Sequence, residues 1–170
     1  MATDILQLEN LYKMYKNQIY TLCIRLTRSK MQADDLFGET WVRVAEKMDN
    51  LQKGKNPANW IYTVCLNIYR KSAPKWKDVD VSNDDIASEI FGTAHDANAD
   101  KIMIEQETVQ HLQKAVSALD DKYRIPIILF YFRELSYKEI SKIMNLHIGT
   151  VKFRLNHAKK LLKKEMEVLW

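Results

Sequence analysis

A chain of 170 residues with 46% apolar side chains can bury one ordinary core or two small ones, and its 4 Gly and 3 Pro are too few for the tight turns of a β-sandwich. Gly38, Gly54, Gly92 and Gly149 lie too far apart to build a phosphate-cradling loop, and no apolar run reaches the about 18 residues that a membrane span needs. The net charge of +4 conceals a division: 13 Lys/Arg against 7 Asp/Glu up to Lys77, one Lys against 9 acids from Asp78 to Glu107, and 12 against 6 from Thr108 onward. Two basic blocks around an acidic stretch imply two domains and a linker, with both domains suited to a polyanion.

The opening segment, residues 1–10, has neither the basic start nor the apolar stretch of a signal peptide, so a cytoplasmic protein without membrane insertion is expected. Leu8, Leu11, Tyr12, Tyr15, Ile19, Leu22, Cys23 and Leu26 then recur at spacings of three and four, one apolar stripe on a long helix. A second helix is expected over residues 32–48, with Leu36, Trp41, Val44, Ala45 and Met48 inward. Lys53 to Pro57 reads as a turn, and Pro57 suits the first turn of a third helix. That helix buries Trp60, Ile61, Val64, Cys65 and Ile68, and is expected to end at Arg70-Lys71, before Pro74. Cys23 and Cys65 sit among apolar residues without a CxxC partner, the setting of inert buried thiols.

Residues 78 to about 100 carry no sustained period, and a flexible acidic linker is placed at residues 78–104, with a short helical turn at residues 86–90. The second block holds four helices at most. Residues 102–119 repeat at helical spacing, and Asp120-Asp121 makes a break and a cap. Residues 123–132 form a buried apolar helix with Pro126 near its start. Residues 136–144 and 148–168 complete the set. Ser136 with Glu139 has the form of a capping box. Asn145-Leu146-His147 is a short turn in which Asn tolerates left-handed backbone, Leu146 fills the angle between the helices, and Gly149 or Thr150 caps the last helix. Val151, Leu155, Ala158 and Leu162 make its buried stripe. From Ile148 to Lys164 there are six Lys/Arg and no acid. A capped helix, a short turn and a basic helix with an exposed first turn make a helix-turn-helix, whose second helix fits the major groove. Thr150, Lys152, Phe153 and Arg154 lie early enough to approach bases; Lys159, Lys160, Lys163 and Lys164 lie further on, facing phosphates or solvent.

This stretch resembles the promoter-binding C-terminal domain of the sigma-70 family. Gly149-Thr150-Val151-Lys152-Phe153-Arg154-Leu155 with Ala158-Lys159-Lys160-Leu161-Leu162 is similar to the family's recognition helix, and Leu135 to Ile140 to the helix before it. The first block resembles the family independently. Asp34 to Val44 is similar to its polymerase-binding helix, and Asn59 to Lys71 to its −10 element helix. Two domains alone mark the extracytoplasmic-function group. Gly38 departs from the family, which usually has Gln there, and Asp120 stands where Pro is usual.

The resemblance implies an all-α fold of two small helical domains, residues 1–77 and 105–170, around the linker. It implies a sigma factor, not an enzyme, that directs core RNA polymerase to promoter DNA. Asp35, Leu36, Glu39, Trp41 and Arg43 would contact the β′ clamp; for Trp41 core packing competes, and for Glu39 and Arg43 a mutual ion pair. Lys55, Asn56, Asn59, Asn67, Arg70 and Lys71 would engage the −10 element, where exposed bases need polar pockets and cations on the backbone. Thr150, Lys152, Phe153, Arg154, Asn156, His157 and Lys160 would engage the −35 element as duplex. The β flap and an anti-sigma protein complete the implied partners. No cofactor or metal is expected: His95, His111, His147 and His157 lack ligand spacing, and the neighbouring Asp34 and Asp35 point apart on a helix. The alternative is a helix-turn-helix regulator that acts without polymerase; it explains the second block and not the first.

Overall fold

The periodicities of three and four become helices throughout the computed structural model, which describes residues 2–51, 54–76 and 99–167. Among these residues there are seven α-helices and no strand: α1 (Ala2–Leu26), α2 (Lys30–Glu46), α3 (Pro57–Trp76), α4 (Ala99–Ala118), α5 (Asp121–Ile127), α6 (Tyr137–Met144) and α7 (Ile148–Glu167). The chain divides into two units, Met1–Ile86 and Ala87–Trp170.

In the first unit α1, α2 and α3 pack pairwise around Ile19, Leu22, Leu26, Leu36, Val44, Ile61 and Leu66, all essentially without solvent contact. Each such side chain contributes about 1.5–3 kcal/mol by leaving water. Ser29 starts α2: its hydroxyl accepts the Gln32 N–H at 3.1 Å, and the Gln32 side chain accepts the Arg28 N–H at 3.2 Å. The pattern Ser29-Lys30-Met31-Gln32 therefore places the helix start two residues earlier than expected. Polar bonds tie the helices. Tyr20 donates to Asp34 at 2.9 Å, and Tyr62 donates to Gln18 at 2.8 Å. Cys23 and Cys65 meet in the core with sulfurs 3.8 Å apart. Contact with Cys65, then burial, push the Cys23 thiol pKa up, which keeps it protonated.

Ala45 faces solvent, and Thr40 fills the buried position instead, its hydroxyl bonded to the Leu36 carbonyl at 2.7 Å. Trp60 is half-buried, while Tyr62 and Tyr69 are buried. Helix α3 runs through Pro74 to Trp76. Proline there forfeits one backbone bond close to the helix end. The Trp76 ring, 6.2 Å from that of buried Tyr69, packs the last turns down.

In the second unit α7 packs on α4, α5 and α6 around Ile125, Ile128, Leu129, Ile140, Val151, Leu155 and Ala158. Helix α4 begins at Ala99, so residues 99–104, expected in the linker, are helical. The rest of that linker, with the turn expected at 86–90, lies outside the described residues. Asp120 precedes α5, but its side chain makes no capping bond; its carbonyl accepts Tyr123 and Arg124 N–H at 2.9 and 2.8 Å. The expected helix over 123–132 is α-helical only to Ile127 and continues as a π segment, Ile128–Phe132. Pro126 sits just ahead of that loosened register. Glu134, in left-handed backbone (φ 54°), ends it.

Candidate nucleic-acid and polymerase interface

The helix-turn-helix is built by local bonds. The Ser136 hydroxyl accepts the Glu139 N–H at 3.1 Å and donates to the Glu139 carboxylate at 3.1 Å, so the two residues close the start of α6 on each other as the capping-box pattern expects. Asn145 takes the left-handed conformation (φ 54°, ψ 51°). Its N–H bonds the Lys142 carbonyl at 3.3 Å, and the Leu146 N–H bonds that of Ser141 at 2.9 Å, the paired closure of a Schellman ending. Leu146 is half-buried between the helices. Helix α7 starts at Ile148, so Gly149 and Thr150 lie inside its first turn and neither caps it; the His147 carbonyl accepts the Val151 N–H at 3.1 Å.

Val151, Leu155 and Ala158 are fully buried, and Leu162 is half-buried. Lys152, Phe153, Asn156 and Lys160 are therefore exposed, whereas Thr150, Arg154 and His157 are half-buried. Two lysines fold back over rings. Lys152 Nζ lies 5.9 Å from the Tyr137 ring centre, and Lys159 Nζ lies 5.6 and 5.7 Å from those of Phe130 and Tyr131. Such contacts hold cations at the surface without neutralising them. Tyr131, half exposed beside Lys159, lies in the π segment, where helical spacing predicts a core residue.

On α3, Asn67, Arg70 and Lys71 are exposed and Asn59 is half-buried. At about 100° per residue these four occupy roughly a third of the helix circumference, opposite Ile61, Val64, Cys65 and Ile68. Lys55 is exposed in the preceding turn, and Asn56 carries a structural duty: its side-chain oxygen accepts the Ala58 N–H at 3.0 Å and caps α3. Lys53 lies outside the described residues.

On α2, Asp35, Glu39 and Arg43 line one exposed face. Leu36 (1% exposed) and Trp41 (9% exposed) do not join them. Leu36 is core, and Trp41 packs edge-on against Tyr12 at 5.1 Å and Phe37 at 6.3 Å. Both hold the helix in place and present little surface to a partner. Arg43 pairs with Glu46 at 3.8 Å and not with Glu39. Val42, 59% exposed, places an apolar side chain on this face. Its position three residues after Glu39, off the buried stripe, is the sequence signal for it.

Among the described residues no three His, Cys, Asp or Glu side chains gather as a metal site, and no helix is long and apolar enough to cross a membrane.

Residues 11–72 match the family described as Sigma-70 region 2, and residues 110–162 match Sigma-70, region 4. The chain is 30% identical to the ECF RNA polymerase sigma factor SigM of Bacillus subtilis, over 92% of this chain and 93% of SigM. This chain belongs to the sigma-70 family, in its extracytoplasmic-function group. The sigma factor is likewise 29% identical to SigW of the same organism, over 92% of this chain and 87% of SigW. Its fold matches that of the sigma factor RpoE solved with the anti-sigma factor NepR from Bartonella quintana, with a TM-score of 0.71 and 22% identity over 94% of this chain and 96% of that one. A sigma factor is an initiation subunit of RNA polymerase and not an enzyme. The match over the first unit also removes the reading as a regulator that works without polymerase, which left that unit unexplained.

Proposed function

We propose that the two units divide promoter recognition, with residues 1–77 serving core polymerase and the −10 element and residues 105–170 serving the −35 element. The observation that carries this reading is the disposition of α7: a buried stripe on one side, a cationic face without acids through Lys164 on the other, and a first turn left open by the left-handed corner at Asn145. That is the form in which a short helix enters the major groove. Lys152, Arg154, Asn156 and Lys160 meet base edges and phosphates there, with Thr150, Phe153 and His157 beside them. On α3, Asn59, Asn67, Arg70 and Lys71 engage the opened −10 strand, helped by Lys55 and the exposed part of Asn56. On α2, Asp35, Glu39, Val42 and Arg43 dock on the β′ clamp, braced by Leu36 and Trp41. The second unit also meets the β flap. Each contact alone is weak, and joining them through one chain raises the effective concentration of the second.

The sigma factor acts in the cytoplasm, where polymerase and template lie. The RpoE relative is solved with an anti-sigma factor, and a protein of that kind holds this chain inactive until it is released. Transcription from pooled genomic fragments, with core polymerase and this chain as sole sigma factor, tests the reading. Discrete transcripts that require the chain are expected. Their absence, together with failure to co-elute with core, would overturn it.

A further inference from the structure

The outward pole of α7 carries a ring and not a cation. Phe153 is 66% exposed, in the sixth position of the helix, and at about 100° per residue it lies opposite the stripe of Val151, Leu155 and Ala158. It is not free to sweep. The Phe153 ring lies nearly parallel to that of His157 (centres 6.0 Å apart, planes at 8°), and the half-buried His157 ring lies 4.9 Å from Tyr123 of α5. Successive ring contacts thus link Tyr123, through His157, to the exposed Phe153. The fold gains little by leaving a phenyl ring in water. The setting, with Lys152, Asn156 and Lys160 exposed around it, suits polyanion contact.

The major-groove edge of the bases offers mainly hydrogen-bond donors and acceptors, and its apolar group is the C5 methyl of thymine, against which a phenyl side chain packs. A ring already held by its neighbours loses little freedom on making that contact. We propose that Phe153 is a specificity-determining residue that reads a thymine methyl in the −35 duplex, and that His157, stacked on Phe153 and tilted against Tyr123, is its positioning residue. This inference rests on the reading that α7 enters the major groove.

The test uses holoenzyme formed from core polymerase and the full chain. Promoters are selected from a library randomised across the −35 region, and each thymine of the selected sequence is replaced in turn by deoxyuridine, which removes the methyl and leaves every hydrogen bond. The expected result is one or two positions at which deoxyuridine weakens binding about fourfold, the factor equivalent to about 0.8 kcal/mol for one buried methyl-sized group. In Phe153→Ala that ratio falls to about one at those positions, while preferences elsewhere in the element persist. Phe153→Leu, which keeps an apolar side chain, retains part of the ratio, and His157→Ala reduces it at the same positions. A strong −35 preference with no deoxyuridine effect anywhere would overturn the assignment, as would an effect that survives Phe153→Ala. A selection that returns no −35 preference at all would instead sink the promoter-binding reading, and this proposal with it.

Discussion

In the first unit the proposed contact faces are the backs of long helices whose fronts are core; in the second, the proposed contact face is the pole and first turn of a helix aimed by a corner. The contrast is visible in neighbours. On α2, Asp35 and Glu39 face solvent while Leu36 and Thr40, one step on, are buried. On α7 the surface depends on where the helix begins and at what angle, which Ser136, Asn145 and Leu146 fix through bonds within a few residues of each other. A surface made from the back of a helix is as stable as its core. One made at a corner is also sensitive to the corner.

The largest test of this contrast is a pair of core truncations. Ile61→Ala and Leu155→Ala each remove a fully buried side chain and should cost about 2–5 kcal/mol. Circular dichroism melting of each variant should show one portion of the helical signal lost early and the other retained; a single shared loss would mean that the units do not hold themselves up separately. Next in size is Arg154→Ala, expected to weaken −35 binding by about 1–3 kcal/mol and to relax preference at one or two base pairs, against Lys160→Ala, which should weaken all sequences alike and lower the salt slope by about one. Titration of labelled duplexes at several salt concentrations separates the two. Ser136→Ala removes the cap of α6 and should cost about 1 kcal/mol, read as a lower denaturant midpoint for the second unit with −35 affinity falling alongside. The smallest effect has the opposite sign. Gly38 is in mid-helix, and a Cβ there would meet nothing within 4 Å. Gly38→Ala should therefore stabilise the first unit by up to about 1 kcal/mol, seen as a raised urea midpoint.

Much of this was legible in the sequence because amphipathic spacing and caps are local. The stripe of α1, the buried face of α3, the Ser136 cap and the left-handed Asn145 all follow from residues a few places apart. What stayed hidden depends on contacts further off or on register. The run from Tyr123 to Phe132 has the composition of a core helix, and only the structure shows the π segment that turns Tyr131 outward. The continuation of α3 past Pro74, where Trp76 meets Tyr69, is not written in the local spacing. For the site, spacing placed Asp35, Glu39 and Arg43 on one face, but the same motif brought in Leu36 and Trp41, because a family pattern records core and contact residues together. That Asn56 serves as a cap was a matter of which atom its side chain reaches.

The meeting of Cys23 and Cys65 in the core has a practical consequence. These are the two cysteines of the chain, and both lie in the first unit with no solvent exposure. A thiol reagent added to the native protein can therefore react only when that unit opens. The rate of modification is a built-in clock for the opening of the first unit alone. It can be read in the unaltered protein, with polymerase or DNA present or absent, by mass spectrometry.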